Sequence, residues 1–511
     1  MAEHNKLLPD WMIGLTDRIM KYYIDRELYV EPIILDRHPA PQEGHQYMMS
    51  AHIPFCHTLC SYCTFHRFIF KEYKAREYFV NLRKEMQMAK DMGYDFTSMY
   101  IGGGTTTILE DELIKTIELA RTLFPSMKEV SCETDPAHLA TESFKNLKGL
   151  VDRMSVGVQS FDDNILKMID RYEKFGSGKQ IFERIQAAQE LFPIMNVDMI
   201  FGFRGQSEEI LQHDVDLLMK LNPRQITTYP LMVTTQTKAS VRNTIAAPTA
   251  DLASQYRIIL DTLGKNYNQL TSWTFGRSHD EGFDEYVVDH DEYLGLGSGA
   301  FSFLGDSLYV NTFSLRRYNE RISQGKMGVE RRKRFDKHAI LQYRLLLGLF
   351  AARLSRKYFR EIHGVELDRA LFKEMLGLKL AGAIKDNPKD PDNLIVTDAG
   401  KFLGLVMMKA FYSGMDNVRA ELRRLHPPRR RPPRSRPRRE DADDRLCLGQ
   451  SRRARNEQED RAVHEARMRA GLLAAYPCDR LVRLALDAGL CEGAGSRAGK
   501  APAHHDAGIY L

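Results

Sequence analysis

Tyr47-Met48-Met49-Ser50-Ala51-His52-Ile53-Pro54-Phe55-Cys56-His57-Thr58-Leu59-Cys60-Ser61-Tyr62-Cys63 sets the reading of this chain. Residues 47–53 are a short apolar run with the length of a strand, and Pro54 stops it. The strand delivers three thiols at the spacing C-x3-C-x2-C. Four cysteines would saturate a zinc ion or close an iron–sulfur cluster. Three leave one metal position open, and an open position is where metal chemistry takes place. The blander alternatives are a zinc site short of a ligand, or thiols that only pack. The other four of the seven cysteines, Cys132, Cys447, Cys478 and Cys491, show no ligand spacing.

Downstream, strand-like and helix-like stretches alternate. Glu72 to Met92 predicts an amphipathic helix with Tyr78, Phe79, Leu82, Met86 and Met88 on its apolar side. Ser98–Ile101 predicts a buried strand ending in Gly102-Gly103-Gly104-Thr105. Further strands are expected at Lys128–Glu133, Arg153–Val158, Asn196–Phe201, Gln225–Tyr229 and Gln269–Phe275. The intervening helices are expected at Glu110–Phe124, about Pro136–Leu147, Asp163–Ile169, Gln180–Leu191, about Glu208–Leu221 and Thr249–Leu263. Such alternation argues parallel βαβ units, and six or seven strands favour a complete or partial (β/α) barrel over an open doubly wound sheet. In either fold the C-terminal ends of the strands carry the chemistry. Cys56, Gly102–Thr105, Glu133, Gln159 and Asp198 all fall there.

Four regions follow from these patterns. Residues 1–45 are a lead-in with one helix, in which Trp11, Met12, Leu15 and Ile19 have helical spacing. Residues 46–330 form the barrel. Its stretch 288–325 is less regular, and the glycines in Tyr293–Ser302 mark turns rather than a phosphate loop, for which the Lys-Ser/Thr is missing. Residues 331–424 are mostly helical, with a strand at Asn393–Thr397 and a helix from Asp398 to about Tyr412. This winged-helix-like module lacks a concentrated basic face and reads as a cap on the barrel. Residues 425–511 change composition: arginine, proline and alanine abound, with one lysine, one isoleucine and no phenylalanine, the signature of a disordered tail.

The net charge of +5 owes much to that arginine-rich tail, where interleaved aspartate and glutamate dilute any basic field. No nucleic-acid partner is expected. No apolar run approaches a membrane span, and Met1–Asp10 has no signal-peptide core. Few, clustered cysteines suit a reducing cytoplasm.

Six motifs in order carry a resemblance: His52-Ile53-Pro54-Phe55-Cys56, Gly102-Gly103-Gly104-Thr105, Glu133-Thr134-Asp135-Pro136, Ser155-Val156-Gly157-Val158-Gln159-Ser160-Phe161, Asp198-Met199-Ile200-Phe201-Gly202 and Tyr293-Leu294-Gly295-Leu296-Gly297. Over about residues 47–420 the chain resembles the radical SAM branch that holds oxygen-independent coproporphyrinogen III oxidase, haem chaperones and related methyltransferases. The resemblance implies that Cys56, Cys60 and Cys63 ligate a [4Fe–4S] cluster and that S-adenosylmethionine (SAM) binds its fourth iron. It implies further that Tyr62 packs on the adenine and that Gly103, Gly104 and Thr105 approach the methionyl amino group. Glu133, Gln159 and Asp198 would bond amino or ribose groups, and Arg171 the SAM carboxylate. The implied activity is a radical SAM oxidoreductase acting on a tetrapyrrole, with a reduced flavodoxin- or ferredoxin-type electron donor. A methyltransferase using two SAM and a haem-binding chaperone without oxidase activity are the alternatives.

SAM is cationic at sulfur and zwitterionic at its amino acid, so a site with both carboxylate and guanidinium suits it on chemical grounds alone. The chain departs from the coproporphyrinogen oxidases in four places. Phe65 replaces their further cysteine and Ser50 a tyrosine, Thr106 a proline, and Phe203-Arg204 a Leu-Pro pair. Arg67, Lys71, Arg204 and Arg277 are candidate partners for substrate propionates, and His66 for a haem iron.

Overall fold

Tyr47–Ile53, the strand that feeds the cysteines, is buried at five of its seven positions, including both faces. That pattern belongs to a parallel strand covered on both sides, not to the edge of a sheet. The computed structural model describes residues 7–232, 251–278, 288 and 290–424, and these belong to one compact unit. Seven strands run parallel, labelled in chain order: β1 Tyr47–Ile53, β2 Phe96–Gly103, β3 Glu129–Thr134, β4 Arg153–Gln159, β5 Ile194–Phe201, β6 Gln225–Pro230 and β7 Tyr293–Leu296. Their spatial order is β7-β1-β2-β3-β4-β5-β6, so the last strand returns to the flank of the first. Antiparallel strands extend both sides to a 13-stranded sheet, ending in Glu31–Pro32 and Asn268–Gln269. Among the described residues no pairing joins those two ends. The class is α/β, with the large mostly parallel sheet expected of a radical SAM barrel.

The principal helices are α1 Asp10–Glu27, α2 Glu72–Asp91, α3 Glu110–Leu123, α4 Gly178–Ala188, α5 Glu208–Leu221, α6 Asp251–Leu263, α7 Lys337–Phe350 and α8 Asp398–Arg424. Their ends are written locally. Ser177 and Gln180 form a reciprocal capping box at α4. Ser207 caps α5, Glu208 and Glu209 fill its first turn, and Asn222 closes it at φ 53°. A cap of this kind contributes about 1 kcal/mol.

Several elements differ from the sequence expectation, each for a local reason. The expected helix at 136–147 is two 3-10 turns, His138–Ala140 and Ser143–Leu147, because Thr141 is extended at ψ 141° and interrupts the helix. Gln269–Phe275 is not a parallel strand. It is a hairpin of Asn268–Gln269 and Thr274–Gly276, whose second strand runs antiparallel to β6. The stretch 288–325 holds β7, strands Phe301–Leu304 and Ser307–Asn311, and a helix Leu315–Ser323. It folds tightly because Gly295 lets the Phe301 carbonyl approach to 2.0 Å from where a Cβ would stand.

On α1 the buried side chains are Ile13, Met20 and Ile24, while Trp11 and Ile19 face outward. The helix docks on α8, where Ile24 sits against Gly414. A strand at Val329–Arg334 pairs with Ser307–Asn311. The helical segment then adds a three-stranded antiparallel sheet of Leu354–Ser355, Asn393–Val396 and Ile384–Lys385. Helix α8 runs on past Tyr412 to Arg424. The expected tail, 425–511, lies outside the described residues. Among the described residues no helix is long and apolar enough to cross a membrane.

Candidate functional site

Parallel register brings the site residues to one level. Ile53 pairs with Gly103, Ile101 with Cys132, Glu133 with Ser155, and Gly157 with Asp198. Their strands β1–β5 all point the same way, so these positions form one C-terminal rim.

The cysteine loop starts and ends side by side. Phe55–Cys56 pairs in parallel with Phe68–Ile69, and the N–H groups of Phe68 and Phe70 donate to Pro54 O at 2.7 Å and Cys56 O at 2.9 Å. The start is pinned to the glycine motif, with Gly104 N donating to Ile53 O at 2.8 Å and Thr105 N to Phe55 O at 2.7 Å. Only glycine fits at 104, because a Cβ would lie 2.4 Å from the Phe55 carbonyl oxygen. Gly103 has φ +127°, and its missing side chain leaves room for the His52 ring. Within the loop, Arg67 Nη2 donates to Cys60 O at 2.7 Å and to Cys63 O. Cys56 and Cys60 are buried and Cys63 partly so. Burial pushes the Cys63 thiol up to about 11 and raises that of Cys56, with Arg67 opposing in both cases.

Arg171 reaches the loop from the start of a short helix, Tyr172–Phe175. Its Nη1 donates to Tyr62 Oη at 3.4 Å and lies 4.0 Å from Cys60 Sγ, its Nη2 donates to Gly157 O, and its buried Nε has no partner among the described residues. Gln159 adopts φ 79° at an irregularity in the β4–β5 ladder, which turns it back beside Gly157. Tyr62 packs against Ile165, Ile169, Phe203 and Leu231. Glu133 accepts from Tyr100 Oη at 2.5 Å and from Gly103 N at 3.1 Å. Asp198 accepts from Ser155 Oγ at 2.6 Å and Asn196 Nδ2 at 2.7 Å. Thr105 turns its hydroxyl to Asp135 at 3.1 Å.

Asp135, in the Glu133–Pro136 motif, has a role that no local signal in the motif marks. Asp135 accepts from Thr105 and from His138 Nδ1, the latter at 2.9 Å. Burial opposes its charge, yet His138, Lys174 and Arg171 hold the carboxyl down at about 2. Because the folded value lies below the unfolded one, its stabilisation is present above the ordinary aspartate range and is lost as pH falls through about 2. Asp135→Asn is therefore expected to lower the unfolding free energy by about 2 kcal/mol at pH 7. The difference from wild type should shrink below pH 4, as urea titrations at pH 7, 4 and 3 would read.

The weaker candidates do not converge on the site. Lys71 and Arg204 are exposed on the surface. Arg277 follows the antiparallel hairpin, whose Gly276 pairs with Gln225, the first residue of β6, so it sits at the opposite rim. His66 is 2% exposed, lies between Phe68 and Phe313, and its Nε2 meets Ser298 Oγ at 3.1 Å. Burial holds that imidazole well below its usual range, and the ring is not offered to a haem iron.

Among the described residues no three His, Cys, Asp or Glu side chains converge on a point that could hold one metal ion. Three thiols serving a cubane cluster would not do so, since each binds a different iron. The residues fit such a cluster with SAM. Three thiols share one loop, the glycines leave a cradle, Glu133 can take an ammonium, and Arg171 Nε, buried and without a partner among the described residues, suits a carboxylate.

The radical SAM superfamily model matches residues 50–218. Residues 50–218 carry a radical SAM domain. That superfamily uses a [4Fe–4S] cluster and SAM. The heme chaperone HemW of Bacillus subtilis (strain 168) is 28% identical over 375 residues, spanning 70% of this chain and 97% of the relative. The oxygen-independent coproporphyrinogen III oxidase of Helicobacter pylori is 25% identical, over 66% of this chain and 80% of the relative. In fold, the chain is similar to the coproporphyrinogen III oxidase (HemN) from Escherichia coli. That similarity has a TM-score of 0.59 at 21% identity and covers 72% of this chain and 90% of that one.

Proposed function

We propose that this chain is a cytoplasmic [4Fe–4S], SAM-dependent protein that cleaves SAM reductively and handles a tetrapyrrole. The observation that carries the reading is Arg171: a buried guanidinium joined to Tyr62, beside Cys60 and Gly157, with one nitrogen unpartnered among the described residues. Cys56, Cys60 and Cys63 would hold the cluster, which with SAM supplies one-electron cleavage chemistry when bound. Arg171 would take the SAM carboxylate, Glu133 beside Gly103–Thr105 the ammonium, and Gln159 and Asp198 the ribose. Tyr62 and its apolar neighbours would shield the adenine and exclude water.

Within tetrapyrrole handling, Phe65 favours the haem chaperone over the oxidase. It stands where the coproporphyrinogen oxidases have a further cysteine, and it is a 47% exposed aromatic ring in place of a thiol. The extent of similarity to the heme chaperone HemW supports the same choice. The test is anaerobic reconstitution with iron and sulfide, then dithionite and SAM, with chromatography for 5′-deoxyadenosine. The expected result is 5′-deoxyadenosine, stoichiometric haem binding and no oxidation of coproporphyrinogen III. Absence of 5′-deoxyadenosine from a reconstituted chain would overturn the SAM reading. S-adenosylhomocysteine among the products would point to the methyltransferase instead.

A further inference from the structure

The cysteine loop is ringed by cations. Arg67 donates to the carbonyls of Cys60 and Cys63, and Arg171 Nη1 lies 4.0 Å from Cys60 Sγ. Lys174 donates to Thr58 O at 3.4 Å, and its charge acts on Cys56. The fourth cation comes from far along the chain. Arg423, in the last turn of α8, donates through Nη2 to Thr64 O at 2.8 Å. It feels the charges of Arg419, Asp416, Arg67 and Cys63.

Two carboxylates face this ring. Asp135 lies on the Lys174 and Arg171 side, held by His138. Asp416 accepts from Thr64 Oγ1 at 2.6 Å and pairs with Arg419, whose guanidinium also lies 5.5 Å from the Phe65 ring centroid. Arg67 and Arg423 are thus bonded to neutral carbonyls behind the last two cysteines; among the described residues neither forms an ion pair, and Asp416, the carboxylate that acts on Arg423, is held by Arg419. Both guanidiniums are half-buried, and a partly desolvated cation without a dedicated anion is held at some cost, which an anion at the loop would offset.

We propose that Arg67 and Arg423 act as an electrostatic brace that sets how readily a cluster on Cys56, Cys60 and Cys63 accepts an electron, making the end of α8 part of the redox site. The inference rests on the cluster assignment made above. One-electron reduction, by a low-potential donor such as dithionite, adds one negative charge to the cluster and forms or breaks no bond. Two guanidiniums bonded only to neutral carbonyls favour the state that carries it. Neither arginine need touch SAM or substrate, so both are positioning residues.

The test is a dithionite titration of the reconstituted full chain, followed by electron paramagnetic resonance. Arg423→Gln keeps a donor for Thr64 O and removes the charge. Its midpoint potential is expected to fall by about 59 mV or more, a tenfold change in the one-electron equilibrium. Arg423→Lys, which keeps the charge, is expected to match wild type. An Arg423→Gln chain with wild-type iron, sulfide and potential would overturn the brace. Should Arg423→Gln lose its iron, Arg423→Lys decides. A cluster restored at the wild-type potential supports the charge role, and a lysine variant equally empty overturns it in favour of a merely structural contact. A wild-type chain that takes up no iron and sulfide is a separate result, which overturns the cluster assignment itself.

Discussion

Cys60→Ala is expected to abolish 5′-deoxyadenosine formation and to strip iron and acid-labile sulfide from the reconstituted protein, leaving far-UV circular dichroism unchanged. Cys60 is 8% exposed and is the middle thiol of the loop, with Arg171 at 4.0 Å and Arg67 on its carbonyl. Removing one of three ligands leaves a cluster two thiolates short of the usual four, whereas the backbone bonds that shape the loop do not involve the sulfur. Cys132→Ala is the matched control. That thiol is fully buried in β3, bonded to Thr106 Oγ1 at 2.9 Å, and outside the cysteine loop. Its loss should cost stability and leave the cluster in place. Equal iron content in the wild type and Cys60→Ala would remove Cys60 from the ligand set.

Gly104→Ala should combine a loss of about 2 kcal/mol in stability with a failure to assemble the cluster. A Cβ at 104 would meet Phe55 backbone oxygen, carbon and nitrogen at 2.4, 2.8 and 2.8 Å. Backbone cannot step aside as the tip of a side chain can, so the glycine motif must move away from Phe55. That breaks the bonds from Gly104 to Ile53 and from Thr105 to Phe55, and Cys56 is the next residue. Gly377→Ala provides the contrast. It lies in the helix Phe372–Leu380 with open space where the Cβ would go, and should gain up to about 1 kcal/mol. Thermal unfolding and iron content of both variants check the pair. A Gly104→Ala chain with wild-type cluster content would show that the close approach to Phe55 is dispensable.

The cysteine loop and the rim were legible because their signals are local. An apolar run closed by Pro54, three thiols in eight residues, and strands ending in Gly102–Gly104 or before Gly202 need only short-range chemistry. The register that sets Gly103 opposite Ile53, Glu133 opposite Ser155 and Gly157 opposite Asp198 then follows from parallel pairing of neighbouring strands. Elements whose form depends on a distant partner were not legible. On α1 the spacing of Trp11, Leu15 and Ile19 marks an apolar face, yet the buried face is the one that meets α8. For the hairpin at 268–276 the local pattern of a strand is the same whether it pairs parallel or antiparallel, so the placement of Arg277 was lost with it. His66 reads as an available imidazole in sequence and is a core residue in three dimensions.

The amino-acid sequence by itself therefore determined the α/β class, the C-x3-C-x2-C loop and the motifs of the radical SAM domain, since each is a pattern within a few residues. Only the tertiary structure decided that Arg171 shares Tyr62, Cys60 and Gly157, that Asp135 is locked to Thr105 and His138, and that Arg423 comes to rest on Thr64. These contacts bring together charged groups from separate elements. Their partners are chosen by where packing leaves a carbonyl or carboxylate within reach, and residue order alone does not encode that.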